Sequence, residues 1–184
     1  MATPFSHAFA AVALGKAIVP RGYSWRFWVL AAGSAALPDA DVLGFGVGIP
    51  YESMWGHRGF SHSLCFAAAW AVLVVLWEFK TVIRFSQEWW GLFAFFFAVT
   101  ASHGVLDAFT NGGLGVGFFI PFDSTRYFFP WTPIEVSPIS IRQFFTAEGW
   151  DIIRNEFRFI WVPFGILWIL GAGIRWLRVK RLAR

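Results

Sequence analysis

Long apolar runs alternate with short breaks of proline or polar residues, and this pattern predicts an all-α chain of five helices. The predicted helices cover residues 6–19, 24–37, 61–84, 88–109 and 151–178. Only the third and the fifth approach the roughly 20 apolar residues that a membrane span needs. The first two are therefore expected to be tilted, re-entrant or partly inserted.

Three residues mark the expected ends of the first two helices. Ser6 is a typical N-cap residue and would begin the first helix, while Pro20 and Pro38 would end the first and the second. Between the fourth and fifth helices, segment 112–149 holds four prolines and many aromatic residues. A loop of this length is usually functional or disordered. Its aromatic content indicates an ordered loop at the membrane interface.

The composition places these helices in a membrane. Hydrophobic residues make up 57% of the chain and charged residues 14%, whereas soluble domains average about 25% charged residues. A chain of 184 residues has too small an interior to bury this much apolar surface, so the excess must face lipid. We therefore expect one membrane-embedded helical bundle over residues 1–184.

The basic residues indicate the orientation of the bundle. Five of them follow the last apolar run: Arg175, Arg178, Lys180, Arg181 and Arg184. The positive-inside rule puts this run in the cytoplasm, and alternate crossings then put ten of the 15 basic residues on that side. Such a juxtamembrane position accounts for the net charge of +4 without a nucleic-acid partner. The expectation is a multi-pass inner-membrane protein with a cytoplasmic C-terminus.

Paired histidines and aspartates point to chemistry on the opposite side. His103 and Asp107 lie four residues apart and share one face of the fourth helix, near its outer end. The other candidates also fall at outer helix ends: His7, Asp39, Asp41, His57, Arg58 and His62. Neutral imidazole and carboxylate are ligands of zinc, manganese and iron(II). The sequence therefore predicts a divalent metal site at the outer interface.

Two simpler interpretations stay open for these residues. A single histidine in an apolar helix is more often packed or hydrogen-bonded than a metal ligand, although ionisable groups at a membrane tend to be functional. Arg58 and Arg126 carry the planar guanidinium that matches a substrate phosphate. Either arginine could instead serve as an interfacial anchor.

Five short motifs stand out along the chain: TPFSH at residues 3–7, LPDAD at 37–41, HRGFSHS at 57–63, SHGVLDAFTN at 102–111 and PFD at 121–123. Together they resemble the YdjM family of bacterial and archaeal inner-membrane proteins. The resemblance covers most of the chain, and it implies an inner-membrane, metal-dependent hydrolase.

The family is in turn similar to zinc-dependent phospholipase C and P1-type nucleases, which are all-helical. In those enzymes a His-x-x-x-Asp pair, an upstream aspartate and histidine, and a histidine near the N-terminus hold zinc. The resemblance implies a corresponding set here: His103, Asp107, Asp41, His57 or His62, and His7. Because no histidine follows His103, we expect one or two ions and not three.

These expectations form one functional hypothesis: a membrane-bound hydrolase, most simply zinc-dependent, that cleaves a phosphoester of a lipid or lipid-linked substrate at the outer face. Four residues would hold the metal: Asp41, His62, His103 and Asp107. His7 and His57 would bind the metal or support its ligands. Asp39 and Arg58 would assist the reaction, with Arg58 steadying developing negative charge. The alternative is a non-enzymatic membrane protein with a structural or sensory metal site.

Overall fold

The computed structural model describes residues 1–19, 22–138 and 145–182, and within them it has five helices and no β-strand. The first four are α1 (Pro4–Ile18), α2 (Trp25–Ala36), α3 (Leu64–Glu78) and α4 (Gln87–Ala108). The last, α5, runs without a break through Ala147–Glu156, a π-helical turn at Phe157–Trp161 and Val162–Leu182. The predicted all-α bundle is confirmed.

Helix α1 begins earlier than expected because its N-cap is Thr3 and not Ser6. The Thr3 hydroxyl accepts a hydrogen bond from the Ser6 backbone N–H at 3.4 Å. Pro4 suits the first turn, where a backbone N–H has no helical partner. The predicted N-cap at Ser6 is therefore wrong, and Ser6 is buried within the first turn. The expected stop at Pro20 lies outside the described residues, as does Arg184.

The chain leaves α2 through a 3₁₀ helix over Leu37–Val47. The sequence predicted that the second helix stops at Pro38, and the α-helix does end close to it, at Ala36. The chain nevertheless continues as a 3₁₀ helix, because proline is tolerated in the first turn of a helix. A 3₁₀ run of this length is uncommon. Asp39 and Asp41 therefore lie in this segment, beyond the end of α2.

Helix α3 is shorter than predicted. The Ser63 side chain caps it by accepting a hydrogen bond from the Phe66 N–H at 3.0 Å, and the helix ends at Glu78, so residues 79–84 are not helical. Its 15 residues reach about 22 Å, which is less than the roughly 30 Å of a hydrocarbon core. Within the described ranges, the two helices long and apolar enough to cross a membrane are α4 and α5.

These two long helices differ in their surroundings. In α4, 56% of the most apolar 18-residue window is buried, whereas in α5 only 6% is. Helix α4 is thus the central helix of the bundle. Exposed side chains of α5 such as Ile169 and Leu170 need lipid to cover them, because water would leave a large apolar surface unburied.

Helices α1 and α5 run parallel and are joined along their length. At one end the Thr3 backbone N–H donates to Glu156, and at the other Arg175 donates to the Ala17 carbonyl. Gly171 allows the close approach between these points, since a Cβ there would collide with the Ala17 backbone. The remaining helices alternate in direction, so the start of α1 and the end of α4 lie at the same end of the bundle.

The core lies below this end. A buried cluster between α2, α3 and α4 includes Phe27, Val75, Phe96 and Val99. Residues 112–138 follow α4 and pack back on the bundle, where Ile134 joins a smaller cluster with residues of α1, α4 and α5. The part of the expected loop at 139–144 lies outside the described residues.

Candidate metal centre

One end of the bundle collects its histidines and aspartates from four elements. They lie in α1 (His7), in the 3₁₀ helix after α2 (Asp39 and Asp41), before α3 (His57 and His62) and in the last turns of α4 (His103 and Asp107). All four histidines are at most 3% exposed, and Asp107 is fully buried. Ionisable groups removed from water to this extent require partners.

Four ligand atoms lie as far apart as a small tetrahedral ion requires. The Nε2 atom of His103 is 3.0 Å from Nε2 of His62 and 3.2 Å from Oδ1 of Asp39. Oδ2 of Asp107 is 3.5 Å from the His62 Nε2 and 3.9 Å from the His103 Nε2. Zinc bonds of about 2.0–2.2 Å place neighbouring ligand atoms about 3.3–3.6 Å apart in a tetrahedron. These four side chains fit one ion.

The hydrogen bonds of the two imidazoles turn their lone pairs toward each other. The Nδ1 atom of His103 lies 2.7 Å from the Ala35 carbonyl, which can only accept, so Nδ1 carries the proton. The Nδ1 atom of His62 lies 3.2 Å from a carboxylate oxygen of Asp41 and donates likewise. The two Nε2 atoms then face each other across 3.0 Å. Either a proton on one ring or a cation bound between the rings would hold them at this distance.

Some carboxylate oxygens of the site accept hydrogen bonds and others do not. Within the described part of the chain, both oxygens of Asp39 and Oδ2 of Asp107 are buried without a hydrogen-bond donor. Asp41 contrasts with them, because its oxygens accept from Nδ1 of His57 at 2.6 Å, from Ser61 Oγ at 2.5 Å and from the Arg58 N–H at 3.2 Å. The bare oxygens are the ones available to a cation.

Asp41, His57 and His62 form a second group whose candidate ligand atoms lie within 4.8 Å of one another. Since the Asp41 oxygens are already bonded, this group is suited to orient His62, as outer carboxylates orient metal-binding imidazoles. A second ion, if the site held two and not one, would compete with these hydrogen bonds.

The acids also shift the titration of their neighbours. Burial would lower the pKa of His62, but Asp107, Asp39 and Asp41 outweigh it and raise that pKa to about 10. Burial would raise the pKa of Asp41, but hydrogen bonds from His57 and His62 hold that pKa well below its usual range. The carboxylates thus favour the protonated form of His62, and a metal bound at its Nε2 would have to displace that proton.

The four-atom group contains Asp39 where the sequence suggested Asp41, and Asp41 belongs to the second group with His57 and His62. A 3₁₀ helix turns about 120° per residue, so side chains two residues apart point in different directions. His7 stacks on His103 with ring centroids 3.7 Å apart, and its Nε2 lies 3.4 Å from Oδ1 of Asp107. His7 therefore lies beside the four-atom group, and His57 lies behind Asp41.

Arg58 occupies a different position from the one expected of a substrate-binding residue. Its side chain is fully buried, and its nitrogens face Asp107, Gly112 and Thr110. Both terminal nitrogens already donate to the protein, and burial keeps the whole guanidinium away from a phosphate outside the bundle. Arg126 is similarly engaged, since it donates to the carbonyl of His57 at 2.9 Å and to those of two other residues in the same loop.

Sequence reasoning missed Glu156, which is 2% exposed. Its carboxylate accepts hydrogen bonds of 2.5 Å from the Thr3 N–H, the Thr3 hydroxyl and the Ser6 hydroxyl. Through Thr3 it fixes the start of α1, where the neighbouring Ala2 N–H donates to Asp107 at 2.9 Å. The available signal was its position as the last acid before the long apolar stretch of α5, because ionisable residues at the edge of a membrane are rarely placed there without a role.

Comparison with known proteins places the whole chain. The family model described as YdjM inner membrane protein matches residues 1–181. The chain belongs to this family. It is also 36% identical over 176 residues to the inner membrane protein YbcI of Escherichia coli strain K12, which covers 91% of this chain and 98% of YbcI. The YdjM resemblance and the inner-membrane location are thereby confirmed.

No solved structure matches this YdjM family member. The likeness to phospholipase C and P1-type nucleases therefore stays a prediction.

Proposed function

We propose that this protein is a metal-dependent hydrolase that acts on a phosphoester of a lipid or lipid-linked substrate at the outer face of the inner membrane. The observation that carries the proposal is the group of four converging ligand atoms from Asp39, His62, His103 and Asp107. Two imidazoles and two carboxylates form a donor set that suits zinc. A divalent ion in such a set polarises a phosphoryl oxygen and lowers the pKa of water toward neutrality.

Asp39 supports a reactive role for the site. Three ligands are completely enclosed, while Asp39 keeps 6% of its surface exposed and belongs to the 3₁₀ segment at the rim. A substrate would therefore approach from this side. Asp39 is the ligand of the four-atom group nearest the rim, although its carboxylate oxygens are themselves buried, and we assign to it the assisting role suggested by the sequence.

The charge distribution supports an outer location. Lys16 lies in the last turn of α1, Lys80 and Arg84 lie between α3 and α4, and four basic residues lie in the last turns of α5: Arg175, Arg178, Lys180 and Arg181. All of them lie at the end of the bundle away from the ligands. The positive-inside rule puts that end in the cytoplasm, and the site then faces outward. A site at this depth meets lipid head groups first, which favours a lipid phosphoester.

A structural metal site is the second candidate, and the burial of three ligands favours it. Catalytic zinc sites usually keep one position open, whereas structural sites are closed by four protein ligands. In this case the ion would hold α2, α3 and α4 together at one end, and removing it would destabilise the bundle without affecting any reaction.

The test uses purified full-length protein with its metal content measured. Phosphate or head-group release is followed on vesicles or micelles that contain phospholipids, polyprenyl phosphates or simple phosphodiesters. The proposal expects turnover that a chelator abolishes and zinc restores, and that Asp39→Asn lowers at least tenfold. Ser102→Ala is the matched control, because Ser102 adjoins His103 but bonds only to the Val99 carbonyl.

The two candidates predict different outcomes. Absence of metal-dependent turnover across the whole panel, with metal-loaded protein, would overturn the phosphoesterase proposal. A large fall in thermal midpoint on chelation would then identify the site as structural. A protein purified without chelator that holds no metal would refute both candidates.

A further inference from the structure

The Arg58 side chain is enclosed beside the candidate metal ligands. Its Nε lies 3.2 Å from Oδ2 of Asp107, Nη1 donates to the Gly112 carbonyl at 2.6 Å, and Nη2 donates to the Thr110 hydroxyl at 2.8 Å. The wall on the far side is equally close, since a Cβ added at Gly113 would lie 2.9 Å from Nη1. The guanidinium therefore belongs to the wall of the site and not to its opening.

The backbone of Arg58 is held as firmly as its side chain. Its φ angle of 63° lies in the left-handed region, which non-glycine residues seldom occupy. Its N–H donates to Asp41 at 3.2 Å, and its carbonyl accepts from the Gly117 N–H at 2.9 Å. Arg58 thus contacts Asp107 through the side chain and Asp41 through the backbone, and it connects the two groups of acids.

The charges of this end of the bundle suggest why an arginine is buried here. Asp39, Asp41 and Asp107 bring three negative charges, and Arg58 is the one lysine or arginine that contacts any of them among the described residues. When a bound ion keeps the histidines neutral, the three carboxylates and Arg58 together leave two negative charges, and one divalent ion would cancel them. A second divalent ion would leave the enclosed site with an excess of positive charge. Unbalanced charge in a poorly solvated interior is strongly unfavourable.

We propose that Arg58 is a positioning residue that holds Asp107 and neutralises the third carboxylate, and thereby limits the site to one divalent ion. This inference rests on the metal centre of the proposed function and not on its substrate. The sequence suggested that Arg58 binds a substrate phosphate. In this inference Arg58 instead makes a fixed contact with Asp107, one of the metal ligands.

The experiment compares charge removal with charge restoration in the full-length protein. Cobalt(II) is the probe, and three quantities are measured: cobalt ions per chain, the visible spectrum of the bound cobalt, and the thermal midpoint. Arg58→Met keeps the length of the side chain and removes its charge. We expect a midpoint lower by about 10 °C and a changed cobalt spectrum, because Asp107 loses its neighbour.

Restoring the balance of charge should reverse part of the fall in thermal midpoint. The double variant Arg58→Met/Asp41→Asn removes one charge of each sign, and we expect it to recover about half of the lost midpoint and to bind one cobalt per chain. Arg58→Lys keeps the charge without the planar fork, so it should bind one cobalt with a smaller fall in midpoint. The matched control compares Arg126→Met with Arg126→Met/Asp41→Asn. In the wild-type protein Arg126 donates hydrogen bonds only to carbonyls, so Asp41→Asn should not raise the thermal midpoint of the Arg126→Met protein.

Several outcomes overturn the inference. They are two cobalt ions in the wild-type protein, an Arg58→Met protein with unchanged spectrum and midpoint, and a double variant no more stable than Arg58→Met. A double variant that does not fold also counts against the inference, because recovery is its prediction. A wild-type protein that binds no cobalt refutes the metal centre itself. One bound cobalt without recovery refutes only the role of Arg58.

Discussion

Histidines that stack against each other can still differ in role. The rings of His7 and His103 are 3.7 Å apart, yet only His103 contributes an atom to the group formed with Asp39, His62 and Asp107. Nδ1 of His103 donates a hydrogen bond to the Ala35 carbonyl, which leaves Nε2 of the same ring available to a metal. Neither nitrogen of His7 has a hydrogen-bond partner among the described residues.

This difference predicts unequal effects of removing the two rings. His103→Ala should lose the metal while the protein still inserts in the membrane. His7→Ala should keep one ion, with an affinity lowered about 10–100-fold, as for residues that support ligands. Competition with a chelator of known affinity measures both. Equal loss of metal in the two variants would make His7 a ligand as well.

The sequence was informative about residues on regular helices and less so elsewhere. The spacing of His103 and Asp107 identifies a shared face because the turn of an α-helix is fixed. Asp39 and Asp41 follow α2 in a 3₁₀ segment that no local pattern signals, so their directions could not be derived. Glu156 was missed because its partners, Thr3 and Ser6, are about 150 residues away in sequence.

Among the helices, the joint between α1 and α5 depends on small residues. Gly171 faces the Ala17 backbone without space for a Cβ, whereas nothing lies within 4 Å of a Cβ at Gly173, two residues further along α5. The two glycines share one helix and differ only in whether a neighbour is close.

Substitution by alanine should therefore have opposite signs at these two positions. Gly171→Ala should lower the thermal midpoint, because overpacking costs about 1–3 kcal/mol. Gly173→Ala should leave it unchanged or raise it, since alanine is the better helix former by up to about 1 kcal/mol. Thermal unfolding of both variants in the same detergent measures the difference. A stabilised Gly171→Ala protein would mean that the two helices do not meet there.

Helix number followed from the apolar pattern, but helix ends depended on capping and packing. Helix α4 was predicted within one residue at each end, since Ser86 precedes it as an N-cap and its apolar run is uninterrupted. Helix α3 stops at Glu78 although apolar and basic residues continue to Arg84. Continuation of an apolar run thus did not reveal where the backbone turns toward α4.

At the scale of the whole molecule, the topology predicts which side each loop faces. Helix α5 directs the C-terminal basic run away from the ligands, while Glu52 and Asp123 lie exposed at the ligand end. A reporter fused after the last residue should be cytoplasmic. In a Cys65→Ser background, single cysteines at Glu52 and Asp123 should react with an impermeant thiol reagent added outside intact cells.

A cysteine at Arg84 provides the matched control, because Arg84 is exposed in the loop between α3 and α4. It should be labelled only after the cells are opened. The reverse pattern of labelling would show that the protein has the opposite orientation in the membrane and that the site faces the cytoplasm.

The contact between Glu156 and the start of α1 also bears on how the protein is made. Ribosomes deliver α1 first, yet the carboxylate that binds Thr3 and Ser6 belongs to the last helix to emerge. Every candidate metal ligand has left the ribosome by then, while the first helix still lacks the acceptor for its opening turn. Completion of the site therefore depends on the synthesis of α5, and a chain released before Glu156 would contain all the ligands without the residue that anchors α1 beside them.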